Sequence, residues 1–482
     1  MGEKIAGMSE DWLSVCLGFL VFVLSLATLV GTDLLGWVVS TSVWVDLSKA
    51  LAPASKGYAA LGGTGALIAT YVALLVALTV GAALMNANVK RFALGFTAVF
   101  WLSYVSWIIG SWANIAATTP AQFKTFGISW SLRLTPEAGF IVALLAGLAV
   151  GNFMPKFAAW MQDAVRPELY IKTAIVILGG FLGLTAAQQL SFATTLMFRG
   201  LAAIIEAYLI YWAVVYYVAR KYFKFSREWA APLASGISIC GVSAAIATGG
   251  AIRARPVVPV LVSSLVVIFA VVEVLILPLL AETFLSHEPL VAGAWLGLAV
   301  KTDGAALAAG GITDALILAR AASEGVNYQP GWILGTTATV KVFIDIFIGV
   351  WTFILGYIWT NHIDRLPGSA RARPIEIWQR FPKFIVGFLL TFVVGLAIAL
   401  SIGAASAPRF TAAVAESNVF RVIFFILTFF SIGVLSNFRR LWEQGLGKLA
   451  AVYFVSLFGF VIWVGLLISW LFFAGVKPPL AS

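Results

Sequence analysis

Charged residues are scarce in this chain: Asp, Glu, Lys and Arg together make up 11% of its 482 residues. Soluble domains carry about 25%, so the shortage excludes an ordinary soluble globular protein. Hydrophobic residues make up 61%. Stretches of the roughly 20 apolar residues needed to cross a bilayer recur along the whole length. The chain is therefore predicted to be an all-α polytopic membrane protein.

Cysteine and histidine are nearly absent, with two of each. Cys16 and Cys240 lie far apart in apolar or small-residue surroundings, so we expect no disulfide. With His287 and His362 isolated, no metal-ligand spacing is present. The chain also lacks a G-x-x-x-x-G-K-[ST] phosphate loop, an H-E-x-x-H pair and a G-x-S-x-G motif. The missing phosphate loop argues against ATP-driven transport within this chain, and nothing in the sequence indicates an enzyme, a metal centre or a bound cofactor.

The net charge of +10 does not indicate nucleic-acid binding, because the basic residues sit in short loops between spans. The basic loops lie near 86–91, 220–228, 359–383 and 437–448. Such loops are typical of the cytoplasmic side, facing anionic lipid. An N-terminus in the cytoplasm places all four there. The first residues lack the basic region of a signal peptide, so 12–31 is expected to remain as the first span.

Eleven spans and two interrupted segments are predicted, giving about 11–13 transmembrane segments in total. The spans lie near 12–31, 58–85, 92–116, 137–153, 170–188, 199–219, 257–281, 331–358, 384–404, 419–436 and 447–474. The interrupted segments lie near 230–250 and 290–311, where small or charged residues break apolar runs.

Loop charge bears on whether the two interrupted segments cross the membrane. If both cross fully, Arg253 and Arg255 fall outside the cytoplasm. Glu282 and Glu288 then fall inside, which reverses the usual bias. If both segments enter the membrane and return to the same side, the two arginines lie in the cytoplasm and the two acids lie outside, which is the usual distribution of loop charge. The pattern slightly favours two re-entrant or hairpin-like elements around the 257–281 span; the alternative is that two arginines break a statistical rule.

Two short segments resemble each other. Leu178–Thr185 and Ser431–Asn437 each end an apolar span with small residues and a polar stop. They run in opposite directions in the predicted topology, as an inverted repeat requires. Chance similarity is the alternative.

The run Gly236–Gly250 is rich in Gly, Ser and Ala and is unlike a lipid-facing helix. Irregular backbone at membrane depth persists only where it is buried in protein or lines a wet cavity, and secondary transporters bind solutes at such breaks. Ser238 and Ser243 offer hydroxyl donors, and Gly241 allows backbone N–H groups to turn toward a ligand. Cys240 is expected to be a small contact residue rather than a nucleophile. The alternative for the whole run is close helix packing.

Lys301, Thr302 and Asp303 interrupt the second segment. An ionisable residue at membrane depth costs about 2.5–3.5 kcal/mol on insertion scales, so each needs a reason. A helix that restarts here would present free N–H groups to an anion. Lys301 would add positive charge, and Asp303 would carry a coupling proton or bind a cation. The alternative is a buried Lys–Asp pair that only stabilises the turn.

Lys341 and Asp345 lie four residues apart on one face of a predicted span. Such a pair either neutralises itself or exchanges its salt bridge for a substrate during a transport cycle. Glu206 and Glu273 are single acids within spans. For each of them a structural hydrogen bond is favoured over a role in proton relay.

Four segments resemble one family. Ser238–Ala245 resembles the S-I-C-G-x-S-A signature of the sulfate exporter family of bacterial inner-membrane proteins. Ile171–Thr185 is similar to its L-G-I-x-L-x-G-x-x-L-T segment, and Val340–Val342 to its V-K-hydrophobic element. Thr428–Asn437 looks like its late L-G-L-N-T segment. The resemblance covers roughly 140–475. The chain departs from commoner members, in which a His-Glu pair stands where this chain has Lys-Thr-Asp.

The resemblance implies a fold related to the bile acid/sodium symporters and cation/proton antiporters. Such folds pair a scaffold domain with a core domain that contains two discontinuous elements, and they are often homodimers. Residues 1–135 look like an N-terminal membrane extension found in longer members. Residues 136–482 would form the transporter region, with core elements near 170–250, 290–358 and 419–437. The expected location is the bacterial inner membrane.

The predicted function is secondary active transport of a small anion, with sulfate or sulfite first and a small organic acid or sulfonate next. The predicted substrate-binding residues are Ser238, Cys240, Gly241, Ser243, Lys301 and Thr302. Coupling to H⁺ or Na⁺ is assigned to Asp303, Lys341 and Asp345. One alternative is a cation/proton antiporter on the same fold, in which the serine run only packs. The other is a membrane scaffold subunit that transports nothing.

Overall fold

The structure, a computed structural model, describes residues 8–117, 120–132, 134–188, 190–255, 257–363, 375, 378, 381–403, 406–437 and 447–481. Helices dominate these residues. The first ten are α1 (Glu10–Ser25), α2 (Gly62–Leu84), α3 (Val89–Gly110), α4 (Ala113–Ala116), α5 (Pro120–Phe126), α6 (Ala138–Phe153), α7 (Pro155–Met161), α8 (Pro167–Gln188), α9 (Leu190–Gly200) and α10 (Ala202–Ile205). The others are α11 (Trp212–Lys221), α12 (Arg227–Ser238), α13 (Val242–Ala251), α14 (Val257–Leu285), α15 (Pro289–Ala299), α16 (Asp303–Ser323), α17 (Trp332–Ile346), α18 (Ile348–Ile358), α19 (Lys383–Ser401), α20 (Ala407–Leu435), α21 (Gly447–Ser456) and α22 (Ile462–Phe473).

Short elements complete the fold. Strands β1 (Val39–Thr41) and β2 (Leu51–Pro53) pair antiparallel, with Ser40 opposite Ala52. Three 3₁₀ turns cover Leu26–Val30, Leu47–Lys49 and Lys56–Leu61. Three π-helical turns cover Glu206–Tyr211, Trp359–Ile363 and Leu457–Val461.

Eleven helical stretches in the described part of the chain are long and apolar enough to cross a membrane. They are Glu10–Val30, Lys56–Leu84, Val89–Gly110, Pro167–Gln188, Leu190–Lys221, Val257–Leu285, Asp303–Ser323, Trp332–Ile363, Lys383–Ser401, Ala407–Leu435 and Gly447–Phe473. The pair α6 and α7, bent by 113° at their junction, makes a twelfth if the two helices form one span. The prediction of an all-α polytopic membrane protein is confirmed.

Two predicted bounds show the largest errors. The span predicted at 419–436 begins at Ala407, and the segment predicted at 290–311 continues to Ser323. Both bounds were wrong because they were predicted from hydropathy, which ends a span where polar residues begin. Arg, Glu and Lys are nevertheless good helix formers, so Arg409 and Glu416 remain inside a continuous helix.

The described chain folds into two compact units, each built from separated stretches. Unit 1 consists of Met1–Leu190 and Lys383–Leu435, and unit 2 of Ser191–Pro382 and Ser436–Ser482. This division rests on contacts within each unit. The predicted division into an extension (1–135) and a transporter region (136–482) is a different one and stays a prediction.

Glycines set the packing of unit 1. A Cβ added at Gly183 of α8 would lie 2.4 Å from the carbonyl oxygen of Phe392 in α19. One added at Gly147 of α6 would lie 2.1 Å from the carbonyl oxygen of Phe430 in α20. Small residues let helix backbones approach this closely within a membrane. The Thr391 hydroxyl then donates to the Val176 carbonyl oxygen at 2.6 Å.

In unit 2, α12 and α13 form the first hairpin. The Thr248 hydroxyl of α13 donates to the Ser235 hydroxyl of α12 at 2.7 Å, so the two arms lie side by side. At the open end, the Arg255 side chain donates to the Glu228 carboxylate at 2.9 Å. The chain therefore returns to the end at which it entered, and the hairpin-like alternative is confirmed for this segment.

The second hairpin consists of α15 and α16. Arg320, near the end of α16, donates to the Glu282 carboxylate at 2.9 Å, and Glu324 lies 4.0 Å from His287. Because Glu282 and His287 precede α15, this segment also returns to its starting end. Helix α14 connects the open end of one hairpin to that of the other. The basic residues of the 359–383 and 437–448 loops lie mostly outside the described residues, so the orientation stays a prediction.

Candidate functional site

The first tip, Ile239–Gly241, separates α12 from α13. Gly241 has φ +60° and ψ −107°, a conformation that side chains with a Cβ rarely adopt. A Cβ there would lie 2.6 Å from Cγ1 of Val266 and 2.8 Å from the carbonyl oxygen of Lys301. The first tip therefore packs against α14 and against the second hairpin.

The second tip, Val300–Thr302, separates α15 from α16. Val300 is extended, and the Thr302 hydroxyl caps α16 by accepting the Ala305 N–H at 3.2 Å. The backbone N–H of Lys301 donates to Oε2 of Glu273 in α14 at 2.9 Å. Helix α14 thus contacts both tips, at Val266 and at Glu273, and the tips meet beside it.

Lys341 of α17 connects the two tips. Its ammonium group donates to the Ile239 carbonyl oxygen at 3.0 Å and to the Val300 carbonyl oxygen at 3.2 Å. Helix ends leave such carbonyls without intrahelical partners. The side chain is 2% exposed, and Nζ lies 3.9 Å from Oδ1 of Asp303. A single buried cation therefore satisfies the ends of both interrupted helices and neighbours an acid.

Asp345 lies one helical turn after Lys341 and completes an acidic cluster. Ligand atoms of Cys240, Asp303 and Asp345 all lie within 4.8 Å of one another, and all three residues are buried. Among the described residues, the ion pair of Lys341 is with Asp303 and not with the i+4 residue Asp345. Oδ1 of Asp345 has no hydrogen-bond partner among them. Two acids, of which Asp303 is paired with Lys341, therefore lie together in a buried site.

The structure brings together seven of the nine predicted site residues. They are Cys240, Gly241, Lys301, Thr302, Asp303, Lys341 and Asp345. Ser238 and Ser243 flank the first tip. Ser238 is fully buried, and its hydroxyl has no hydrogen-bond partner among the described residues. Ser243 is half-buried in the first turn of α13, and no described side chain caps the start of this helix.

The ammonium group of Lys301 does not lie at the helix breaks, where it was expected to supply positive charge. Its ammonium group lies 4.6 Å from the ring centroid of Tyr211 and donates to the Leu298 carbonyl oxygen. The ammonium group at both helix breaks is that of Lys341. Glu273, expected to make a structural hydrogen bond, accepts the Lys301 N–H. Neither carboxyl oxygen of Glu206 has such a partner among the described residues.

Asp314 of α16 is an important residue that sequence reasoning missed. Its carboxylate accepts the backbone N–H groups of Gly331 and Ile333 at 3.0 Å each, at the start of α17. An acid suits a helix N-terminus, where free N–H groups and the helix dipole favour negative charge. The sequence could have drawn attention to Asp314 as an acid inside an apolar helix, but it could not show which groups this acid binds. Asp314 thereby positions the helix that carries Lys341 and Asp345.

Asp314→Ala is expected to lower the free energy of unfolding by about 1–3 kcal/mol, because buried N–H groups lose their acceptor. Thermal unfolding of the purified protein in detergent measures this. The control is Glu324→Ala, which removes an exposed acid paired with Arg320 and is expected to cost less than about 1 kcal/mol. Equal effects of the two substitutions would contradict a capping role for Asp314.

Comparisons with known proteins agree with the membrane architecture. Residues 130–452 match the family described as Conserved hypothetical protein 698. A UPF0324 membrane protein of Nitrosomonas europaea is 41% identical over 99% of this chain and 99% of its own length. An uncharacterized protein of Archaeoglobus fulgidus is 53% identical over 31% of this chain and 91% of its own length. A UPF0324 membrane protein of Rhodopirellula baltica is 32% identical over 65% of this chain and 53% of its own length.

No solved structure matches the chain. The Nitrosomonas relative matches along almost the whole chain, so the match extends well beyond residues 130–452. The family resemblance found in the sequence is confirmed, and the chain belongs to the UPF0324 family of multi-pass membrane proteins.

Proposed function

We propose that this protein is a secondary active transporter whose solute and coupling-ion sites lie where the tips of the two hairpins meet. The observation that carries the proposal is the Lys341 ammonium group, which bonds to both tips and neighbours Asp303. Interrupted helices at membrane depth are how many secondary transporters bind solutes and ions. Buried ionisable side chains in such a site are costly and mark transport pathways.

The proposed solute is a small anion, with sulfate or sulfite first and a small organic acid or sulfonate next. Helix α13 starts at the first tip without a side-chain cap, and its first N–H groups suit an oxyanion. The buried Ser238 hydroxyl offers a further donor near that start. Thr302 and the start of α16 lie across from Gly241, so donors of both hairpins converge.

The proposed coupling ion is H⁺ or Na⁺, bound by the acidic cluster. If both Asp303 and Asp345 were ionised, they would carry one more negative charge than Lys341 can neutralise. An uncompensated charge in a low-dielectric interior is costly, so the cluster favours uptake of one proton or one monovalent cation. Binding of that ion changes the charge beside both tips, which is how it would be coupled to movement of the anion.

The remaining proposals concern the setting of the protein. We place it in the bacterial inner membrane with a cytoplasmic N-terminus, as a homodimer surrounded by lipid, with no nucleic-acid partner and no catalytic activity. The basic loops near 86–91 and 220–228 support this orientation.

A cation/proton antiporter is the second candidate, and the excess of buried acids favours it. The buried carboxyl groups around the tips outnumber the buried ammonium groups. The acids are Glu206, Glu273, Asp303 and Asp345, and the bases are Lys301 and Lys341. An antiporter moves protons without any anion, whereas the proposed anion transporter requires one. A scaffold subunit would show no flux of either kind.

Uptake of radiolabelled sulfate into proteoliposomes, with and without pH and Na⁺ gradients, tests the proposal against empty liposomes. Gradient-dependent uptake supports it. Proton flux on adding Na⁺ or K⁺ without an anion would replace it with the antiporter. Absence of flux for sulfate, sulfite, sulfonates and small organic acids, with no proton movement, would overturn transport.

Asp303→Asn is expected to reduce gradient-driven uptake to the level of empty liposomes while the protein remains folded. The amide keeps the shape of the side chain but cannot take up a proton or balance a cation. Glu324→Gln, an exposed change outside the tips, is the matched control and is expected to transport normally. Wild-type coupling in Asp303→Asn would remove Asp303 from the mechanism.

A further inference from the structure

A second buried polar cluster lies in unit 2 beside the hairpin tips, centred on Glu206. Glu206 is 1% exposed, and neither of its carboxyl oxygens has a hydrogen-bond partner among the described residues. It begins the π-helical turn Glu206–Tyr211. A π turn bonds residue i to residue i+5, so it brings Glu206 and Tyr211 to the same side of the helix. Such turns are rare and frequently occur at functional sites.

The Tyr211 hydroxyl donates its only proton to a group other than Glu206. It donates to the Val461 carbonyl oxygen at 2.8 Å, at the end of the π-helical turn Leu457–Val461. A phenol has a single O–H donor, so toward Glu206 the Tyr211 oxygen can only accept. A Cβ on Gly465 would lie 2.6 Å from the Tyr211 hydroxyl and 3.7 Å from Oε1 of Glu206. Both oxygens therefore face the same space, which the glycine leaves open, and a protonated Glu206 is the form that suits Tyr211.

The charges around Glu206 lead to the same result. Tyr211 and Lys301 are the titratable groups that face it. Glu273 and Lys341 are further titratable groups near Lys301, and Tyr453 lies near Glu273. Because Lys341 is the counter-ion of the tip acids, Lys301 is left with two carboxyl groups. If both were ionised, this buried cluster would have a net negative charge, at a cost of several kcal/mol.

We propose that Glu206 is a proton-binding residue that takes up and releases a proton in the folded protein. When protonated, Glu206 donates its O–H to the Tyr211 oxygen. On release, the O–H bond breaks, the proton passes to water, and the carboxylate faces the Lys301 ammonium group. No other bond forms or breaks. Lys301 also belongs to the second tip, so the charge on Glu206 acts on the site at the tips; that connection rests on the proposed function, whereas proton binding does not.

Infrared difference spectra of the purified full-length protein, recorded between acidic and alkaline pH, test this directly. The expected result is a carboxyl C=O band that titrates with pH and is lost in Glu206→Gln. Glu416→Gln is the matched control, because Glu416 is a buried acid of unit 1 and its Oε2 has no hydrogen-bond partner in the described part of the chain. It is expected to keep the Glu206 band. The infrared test measures no transport. Proton binding by Glu206 can therefore be contradicted while the proposed transport function holds, and transport can be contradicted while proton binding holds.

Tyr211→Phe provides a second test if Glu206→Gln does not fold. The ring that faces Lys301 remains, but the oxygen that accepts from Glu206 is removed. The titrating band is therefore expected to shift in frequency without being lost. A band unchanged in both variants would overturn the proposal. So would a protonated carboxyl band that does not titrate while the protein stays folded, because Glu206 would then be a permanently neutral structural acid.

Discussion

Replacing Lys341 by methionine is expected to lower the free energy of unfolding by about 3–5 kcal/mol and to abolish solute flux. Methionine keeps most of the length of the side chain and removes its ammonium group. The Ile239 and Val300 carbonyl oxygens then lose their donor. Asp303 and Asp345 are left buried without the ammonium group beside them. Thermal unfolding in detergent and uptake in proteoliposomes measure the two effects separately.

A double substitution separates charge from packing. Lys341→Met combined with Asp303→Asn removes both members of the pair, so its cost is expected to be smaller than the sum of the single costs. Contacting charged residues show coupling energies of about 0.5–3 kcal/mol in such cycles. Lys156→Met, at an exposed lysine, is the control and is expected to change stability by no more than about 0.5 kcal/mol. Strictly additive costs would show that Lys341 and Asp303 do not interact.

The sequence predicted the two helix breaks because they violate the pattern around them. One segment contains a Gly- and Ser-rich run at 236–250, and the other contains charged residues at 301–303. Inside apolar segments, such residues usually mark an interrupted helix or a functional site. The hairpin shape was one of two alternatives, and loop charge favoured it only slightly. What decides the shape of the first hairpin are contacts such as Thr248 with Ser235. Local sequence does not encode such contacts.

The long-range pairings of the site could not be predicted. Helical spacing suggested Asp345 as the partner of Lys341, because residues four apart lie on one face. The structure instead brings Asp303, from another helix, to 3.9 Å. The cap that Asp314 provides for α17 is of the same kind. Each of these contacts depends on how hairpins and helices pack, which no single segment determines.

Gly241→Ala is expected to lower the free energy of unfolding by about 2–6 kcal/mol, because two costs add. Backbone held in a glycine-only region costs about 1–3 kcal/mol with a side chain, and Gly241 has φ +60°. Overpacking a filled interior costs about 1–3 kcal/mol more. The added Cβ would lie 2.6 Å from Val266 and 2.8 Å from the backbone oxygen of Lys301. Gly250→Ala lies in the same hairpin, and its added Cβ would meet no described atom outside its own helix turn within 4 Å; this change is expected to stabilise by about 0.5–1 kcal/mol. Thermal unfolding of both variants in detergent measures the difference.

A second-site change shows which contact matters most at Gly241. Adding Val266→Ala removes the Cγ1 atom nearest the new Cβ, but it leaves the positive φ and the Lys301 carbonyl oxygen in place. Only part of the lost stability is therefore expected to return. Solute flux is expected to be low in both the single and the double variant, because the Cβ of Ala at position 241 still pushes the first tip away from the Lys301 carbonyl oxygen. A Gly241→Ala protein as stable as the wild type would mean that the tips do not meet at this point, and the proposed site would then lose its geometric basis.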